Sequence, residues 1–206
     1  MMSANSEPLT RPGRRRLLAA AVLLSLGVAG PALARPYEGY EFADSLQLGG
    51  STLVLNGLGM RAVATIRGYL AGLYLVRKAS VPAEVFATPG PKRIQMRILL
   101  DASMEEFVKA VNKGVQRNCT EAERAALTEE LPAFVALLRG VGQVHKQDLI
   151  DIDYLPGKGT ALVINGKQAG ATIAGAELYD ALLKVFLGER PTDKRLKAGL
   201  LGLPTG

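Results

Sequence analysis

The chain has 206 residues, 48% of them hydrophobic and 21% charged, with a formal net charge of +6. Half of that charge, four arginines against one glutamate, lies in residues 1–34, so the remainder lacks the concentrated basic face that nucleic-acid binding requires. A single cysteine and a single histidine exclude an intrachain disulfide, a Cys-x-x-Cys motif and a histidine metal cluster, and confine any Ser-His-Asp triad to His145; no metal site is expected.

The first 34 residues read as a secretion signal. Arg14, Arg15 and Arg16 form a basic head, residues 17–28 are apolar and uncharged, Pro31 breaks the run, and Ala32-Leu33-Ala34 is a small-x-small cleavage site. The run is shorter than the roughly 20 residues that span a bilayer. Cleavage between Ala34 and Arg35 is therefore expected, giving a periplasmic or secreted protein with no membrane span after signal removal. The arginine pair before two leucines also fits the twin-arginine route. The mature segment, residues 35–206, is long enough for one domain with a real core.

Residues 46–55 read as a hairpin around Gly49-Gly50, with Asn56-Gly57-Leu58-Gly59 as a second turn. Residues 60–76, rich in Val, Ile, Leu and Tyr, supply two strands. Ser80 is placed to cap a short helix through Val85 or Phe86, with Pro82 in its first turn. Pro89-Gly90-Pro91 ends that unit, and residues 93–100 form a strand with Ile94, Met96 and Ile98 on one face.

The middle is helical. Ser103 with Glu106, and Thr120 with Glu123, have capping-box spacing. Phe107, Val111 and Val115 form one apolar stripe, and Leu127, Leu131, Phe134 and Leu138 another, with Pro132 kinking or splitting the second helix. Strands then return: Ile150, Ile152 and Tyr154 alternate with Asp151 and Asp153, residues 160–164 come after a Pro-Gly-Lys-Gly turn, and Asn165-Gly166 signals a hairpin. A helix over residues 176–187 should end on Gly188 as a left-handed cap. Thr192 or Asp193 starts a terminal helix carrying Leu196, Leu200 and Leu201. Strands in neighbouring hairpins and helices in blocks favour α+β, an antiparallel sheet with helices layered on one face.

Several motifs reduce to structure. Gly57-x-Gly59 lacks the third glycine of a nucleotide loop and leads into a strand, and Gly157-Lys158-Gly159-Thr160 is a hairpin turn. Asp151 and Asp153 share a strand face and read as a solvated outer surface; the alternative is acid–base work or a hard cation. His145 reads as exposed, with haem or metal ligation as its alternative, and Cys119 as a small buried filler. Arg61 stands out, because a guanidinium at the head of an apolar segment must be paired. Its partner is either an internal carboxylate or a bound anionic ligand. Tyr69 and Tyr74, in the same segment, carry hydroxyls that can face a cavity.

An ordered set of segments resembles the chalcone isomerase-like family, in its bacterial exported branch, over residues 38–202. The segments are Leu55-Asn56-Gly57-x-Gly59-x-Arg61, Gly68-Tyr69-Leu70-Ala71-Gly72-Leu73-Tyr74-Leu75, Ala87-Thr88-Pro89-Gly90-Pro91-Lys92, Asp153-Tyr154-Leu155-Pro156-Gly157, Ile173-Ala174-Gly175-Ala176-Glu177-Leu178-Tyr179-Asp180-Ala181-Leu182-Leu183, and Leu187-Gly188. The resemblance implies an open-faced β-sandwich, a large antiparallel sheet with a layer of helices and a ligand cleft between them. It also implies a ligand-facing role for Arg61. The family's catalytic threonine falls near Tyr69, its tyrosine near Phe107 and its asparagine near Gly114, so a phenol and an amide are missing. Non-enzymatic relatives bind fatty acids and some members bind haem. Three functions are thus expected in order: a carrier of a small anionic or apolar ligand, fatty-acid-like or aromatic, held by Arg61, Tyr69 and Tyr74 without a cofactor; an intramolecular lyase of the chalcone isomerase type; and a partner-binding protein with a vestigial cleft.

Overall fold

The computed structural model describes Met1 and residues 34–205. The predicted signal, except for Met1 and for Ala34 at its cleavage site, lies outside the described residues. In chain order the strands are β1 (Ala34–Tyr37), β2 (Tyr40–Ala43), β3 (Ser45–Leu48), β4 (Ser51–Val63), β5 (Ile66–Leu75), β6 (Lys92–Ile98), β7 (Ala102–Ser103), β8 (Gln143–Val144), β9 (Leu149–Leu155), β10 (Gly159–Ile164) and β11 (Lys167–Gln168). The helices are α1 (Pro82–Ala87), α2 (Met104–Asn118), α3 (Glu121–Ala125), α4 (Glu130–Val141), α5 (Glu177–Leu187) and α6 (Lys194–Leu200).

Seven strands form one antiparallel sheet in the order β11-β10-β9-β6-β5-β4-β3. Neighbours in sequence are neighbours in the sheet except at β6 and β9, where the block of α2, α3 and α4 intervenes. Strand alternation assigns each side chain to a face. Tyr69, Ala71, Leu73 and Leu75 of β5, Ile94, Met96 and Ile98 of β6, and Ile150 and Ile152 of β9 join the large core shared with α2, α4, α5 and α6. Leu70 and Tyr74 point the other way, into a smaller core with Phe42, Leu53, Leu55 and Leu58.

The segment expected to turn at Asn56-Gly57-Leu58-Gly59 instead continues as β4. Asn56 is the extra residue of a bulge, lying between the paired positions Leu55 and Gly57. It is buried, and its amide makes three hydrogen bonds: Nδ2 donates to the carbonyls of Ala79 (2.9 Å) and Leu200 (2.7 Å), and Oδ1 accepts from the Ala79 N–H (2.7 Å). The two glycines are required by α6, which lies on β4. A Cβ on Gly57 would stand 2.2 Å from the Gly199 carbonyl oxygen, and one on Gly59 2.7 Å from that of Leu196.

The helices differ from expectation at their ends. Val81, not Ser80, precedes α1 as its N-cap, and the Ser80 N–H is taken by the Glu84 carboxylate. Ser103 caps α2 by accepting from the Glu105 N–H without a reciprocal bond from Glu106, which instead pairs with Lys109. Thr120 and Glu123 do form a full capping box on α3. The expected second helix divides before Pro132: α3 ends at Ala125, and Pro132 falls in the first turn of α4, where its missing N–H costs nothing. Gly188 ends α5 in an extended conformation rather than a left-handed one. Space decides its identity, because a Cβ there would be 2.4 Å from the Asn118 Oδ1.

Asp151 and Asp153 are buried rather than solvated. Arg93, their neighbour on β6, donates to both Asp153 oxygens at 2.6 Å, and its Nη1 lies 3.2 Å from Asp151. Gln95 donates to Asp151 at 3.0 Å. Their strand face does alternate with Ile150 and Ile152, as the sequence pattern implies. The basic partner comes from a strand distant in sequence, and it makes burial of that face possible.

Candidate ligand-binding site

A cavity of about 500 Å3 lies where the open ends of β4, β5 and β6 face α2. Gly68 and Tyr69 of β5, Ile98 at the end of β6 and Leu100 just beyond form its sheet side. Phe107, Ala110 and Gly114 of α2 form the opposite wall. Gly114 is one of the helix's buried positions, with Met104, Val108, Val111 and Val115, and Phe107 and Ala110 sit half-buried beside them. Val111 and Val115 of the expected stripe are in the core; Phe107 packs against it half-buried and also lines the cavity, where its ring stacks on Tyr69 with centroids 5.8 Å apart.

Arg61 and Tyr69 are cross-strand partners on β4 and β5, and both line the cavity. The Arg61 Nη1 donates to the Ala62 carbonyl (2.9 Å) and to the Asp193 Oδ2 (3.1 Å). Among the described residues it engages protein acceptors only through Nη1, and its Nε and Nη2 make no hydrogen bond to them. The guanidinium side chain is 27% exposed and that of Asp193 15%. Asp193 serves two elements at once, because its Oδ1 caps α6 by accepting from the N–H groups of Arg195 (2.8 Å) and Leu196 (3.0 Å). The internal carboxylate is thus real, and it coexists with a cavity. Burial pushes the Tyr69 phenol far above its ordinary range; the Arg61 charge pulls it down and Asp193 pushes it up again. Tyr69 is therefore a neutral hydroxyl at any ordinary pH.

The structure does not bring Tyr74 to this site. Five residues beyond Tyr69 on the same strand, its side chain lies on the opposite face of the sheet, in the smaller core, where its hydroxyl is buried without a hydrogen-bond partner. Phe107 and Gly114, near which the resemblance places the isomerase tyrosine and asparagine, both line the cavity. Neither carries a polar group. A Cβ at Gly114 would meet Val185 of α5 at 2.6 Å, so no asparagine fits without moving α5.

Sequence reasoning missed the cations of the mouth. Lys109, Lys113 and Arg117 stand at successive turns of α2 and are exposed, and Arg190 joins them from beyond α5. Their i, i+4 spacing was visible as one solvated helix face; what the pattern lacks is any sign that a cavity opens beside it. With Arg61 the lining holds five cations against one carboxylate, Glu106, which Lys109 neutralises at 2.7 Å. His145 lies outside the cavity, exposed, with Nδ1 3.5 Å from Asp101. Cys119 is buried at the end of α2, and burial raises its thiol above the usual range. No group of three metal-ligating side chains occurs among the described residues, and none of their helices is long and apolar enough to cross a membrane.

A curled antiparallel sheet backed by helices, with a cavity between the layers, defines an α+β half-barrel fold. The chain belongs to the chalcone isomerase-like family, whose model matches residues 34–202. Among solved structures it is similar to an Arabidopsis thaliana fatty-acid binding protein, with a TM-score of 0.60 and 18% identity, covering 82% of this chain and 95% of that one. At that identity the likeness is one of fold. No curated protein matches the sequence.

Proposed function

We propose that the protein is an exported, non-catalytic carrier of a small amphiphilic acid, a fatty acid or an aromatic acid, held with its carboxylate on Arg61 and its apolar part between Tyr69, Phe107, Ile98 and Leu100. The observation that carries this reading is a guanidinium whose Nε and Nη2 bond no acceptor among the described residues, lining an apolar cavity of about 500 Å3, within the range of about 300–1,000 Å3 typical of small-molecule sites. Two parallel N–H donors match a carboxylate in both charge and shape. The cationic mouth favours entry of an anion. The similar fatty-acid binding protein adds support at the level of the fold. The isomerase reading has less to stand on, because Phe107 and Gly114 supply neither the phenol nor the amide.

Native mass spectrometry of the protein recovered after export, followed by displacement titration with a fluorescent fatty acid, tests the proposal. One equivalent of an acid bound, displaced by the probe, is the expected result. An empty protein that takes up neither fatty nor aromatic acids would overturn it. The intact mass in the same spectrum reports the N-terminus: Arg35 is expected, and retention of residues 1–34 would refute export by cleavage.

A further inference from the structure

We propose that the mouth of the cavity is also a docking surface for an anionic phospholipid bilayer, with the β4–β5 hairpin as its apolar tip. Val63 and Ile66 flank the two-residue turn of that hairpin and are 59% and 62% exposed. Both also line the cavity, so the exposed apolar tip and the opening are one surface. Lys113, Arg117 and Arg190 surround the same opening, and among the described residues no ion pair engages any of the three. The other cations nearby each have an acidic partner: Arg61 has Asp193, Arg67 has Glu38 and Lys109 has Glu106.

An apolar tip at headgroup depth and unpaired cations beside it are the two components of peripheral membrane binding. Free cations without the tip would suit an acidic protein equally well, and the exposed tip without cations would suit any apolar surface. Their coincidence on the rim of one opening selects a surface that is both apolar within and negatively charged at its face. A bilayer of anionic phospholipid meets both requirements. Docking there would set the cavity mouth against the lipid, so that an amphiphile passes between membrane and protein without crossing water. This consequence rests on the carrier reading; the docking itself rests only on charge and exposure.

The test is co-sedimentation of the ligand-free protein with vesicles of phosphatidylcholine alone and of phosphatidylcholine mixed with phosphatidylglycerol. Binding to the mixed vesicles alone is expected, falling steeply with added salt. Each basic residue at an anionic surface contributes about fivefold in affinity, so Lys113→Gln with Arg117→Gln should weaken binding about 25-fold. Val63→Ser with Ile66→Ser should weaken it roughly five- to tenfold by removing apolar contact. All four side chains are exposed, and a thermal melt on each double variant verifies the fold. Absence of binding to either vesicle would overturn the proposal, as would equal binding to both. Retention on a polyglutamate column that persists in the Val63→Ser/Ile66→Ser variant, with no vesicle binding, would assign the cations to an acidic protein instead. Fatty-acid titration without vesicles reads the cavity separately, so failure of docking and failure of the carrier reading are distinguishable.

Discussion

The Arg61–Asp193 pair offers the sharpest separation between scaffold and site. Asp193→Asn keeps an oxygen for the two N–H groups that cap α6 but removes the charge facing Arg61. The pair is partly exposed, so this substitution should cost about 1 kcal/mol or less of stability. Its effect on ligand affinity should have the opposite sign. A carboxylate sharing the Arg61 fork would stand about 5 Å from the Asp193 carboxylate, a repulsion of about 3 kcal/mol at an effective dielectric of about 20, and water at the mouth reduces this to about 1 kcal/mol. Asp193→Asn should therefore tighten a carboxylate ligand about fivefold. Arg61→Ala removes hydrogen bonds to a charged group, about 1.5–3 kcal/mol, and should weaken the same ligand about 10- to 150-fold. Arg61→Lys keeps the charge without the planar fork and should fall between. The assay is displacement of a fluorescent fatty acid, with a fatty alcohol of equal chain length as the uncharged control and a thermal melt for each variant. The alcohol should respond little to either charge. If Arg61→Ala lowers the melting temperature sharply and leaves carboxylate affinity unchanged, or if acid and alcohol respond alike, Arg61 belongs to the scaffold alone.

Other expectations rest on the same geometry. Arg93→Leu leaves Asp151 and Asp153 buried without their cation and should destabilise the protein by about 3–5 kcal/mol at neutral pH. Burial already raises the Asp151 carboxyl more than Arg93 lowers it, so the folded state takes up a proton more readily than the unfolded one, and melts of the variant should improve as pH falls. Gly59→Ala places a Cβ against the backbone of α6 and should cost about 3 kcal/mol or more, read as a lowered melting temperature or as exposed apolar surface. Asn56→Ala removes three buried hydrogen bonds and strands the Ala79 N–H, with an expected loss of about 2–4 kcal/mol by denaturant titration. Cyclisation of a 2′-hydroxychalcone should proceed near its uncatalysed rate, since each missing positioned donor costs about 10²–10³ in rate; saturable turnover would reverse that.

What the sequence made legible was set by short-range rules. Alternation in β6 and β9, the Gly49-Gly50 and Asn165-Gly166 turns and the Thr120–Glu123 box each depend on residues within a few positions, and each appears in the structure. The separation of Tyr69 from Tyr74 is also local information: an odd spacing on one strand puts the two on opposite faces. The burial of Asp151 and Asp153 was not local, because it depends on Arg93, 60 residues away from Asp153. The Arg61–Asp193 pair spans 132 residues, and sequence reasoning reached only the requirement that some partner exist. The cationic mouth was unreadable for a related reason: an exposed i, i+4 ladder looks the same beside a cavity as on a plain surface.

The bulge at Asn56 is what turns Arg61 into the site. Before it, Leu53 and Leu55 face the smaller core; after it, Leu58 and Met60 do, so the inward parity changes from odd to even. Regular alternation from Leu53 would carry Arg61 to that smaller core, together with Gly57 and Gly59. The extra residue instead sends all three to the helical face, where the glycines admit α6 and Arg61 meets both the cavity and the Asp193 at the helix start. The same bulge breaks the alternating pattern, which is why residues 56–59 read as a turn. Asn56 holds the bulge by bonding to α6 through the Leu200 carbonyl, so helix and strand fix each other's register. The close packing that needs two glycines and the guanidinium at the cavity are therefore consequences of one extra residue in β4.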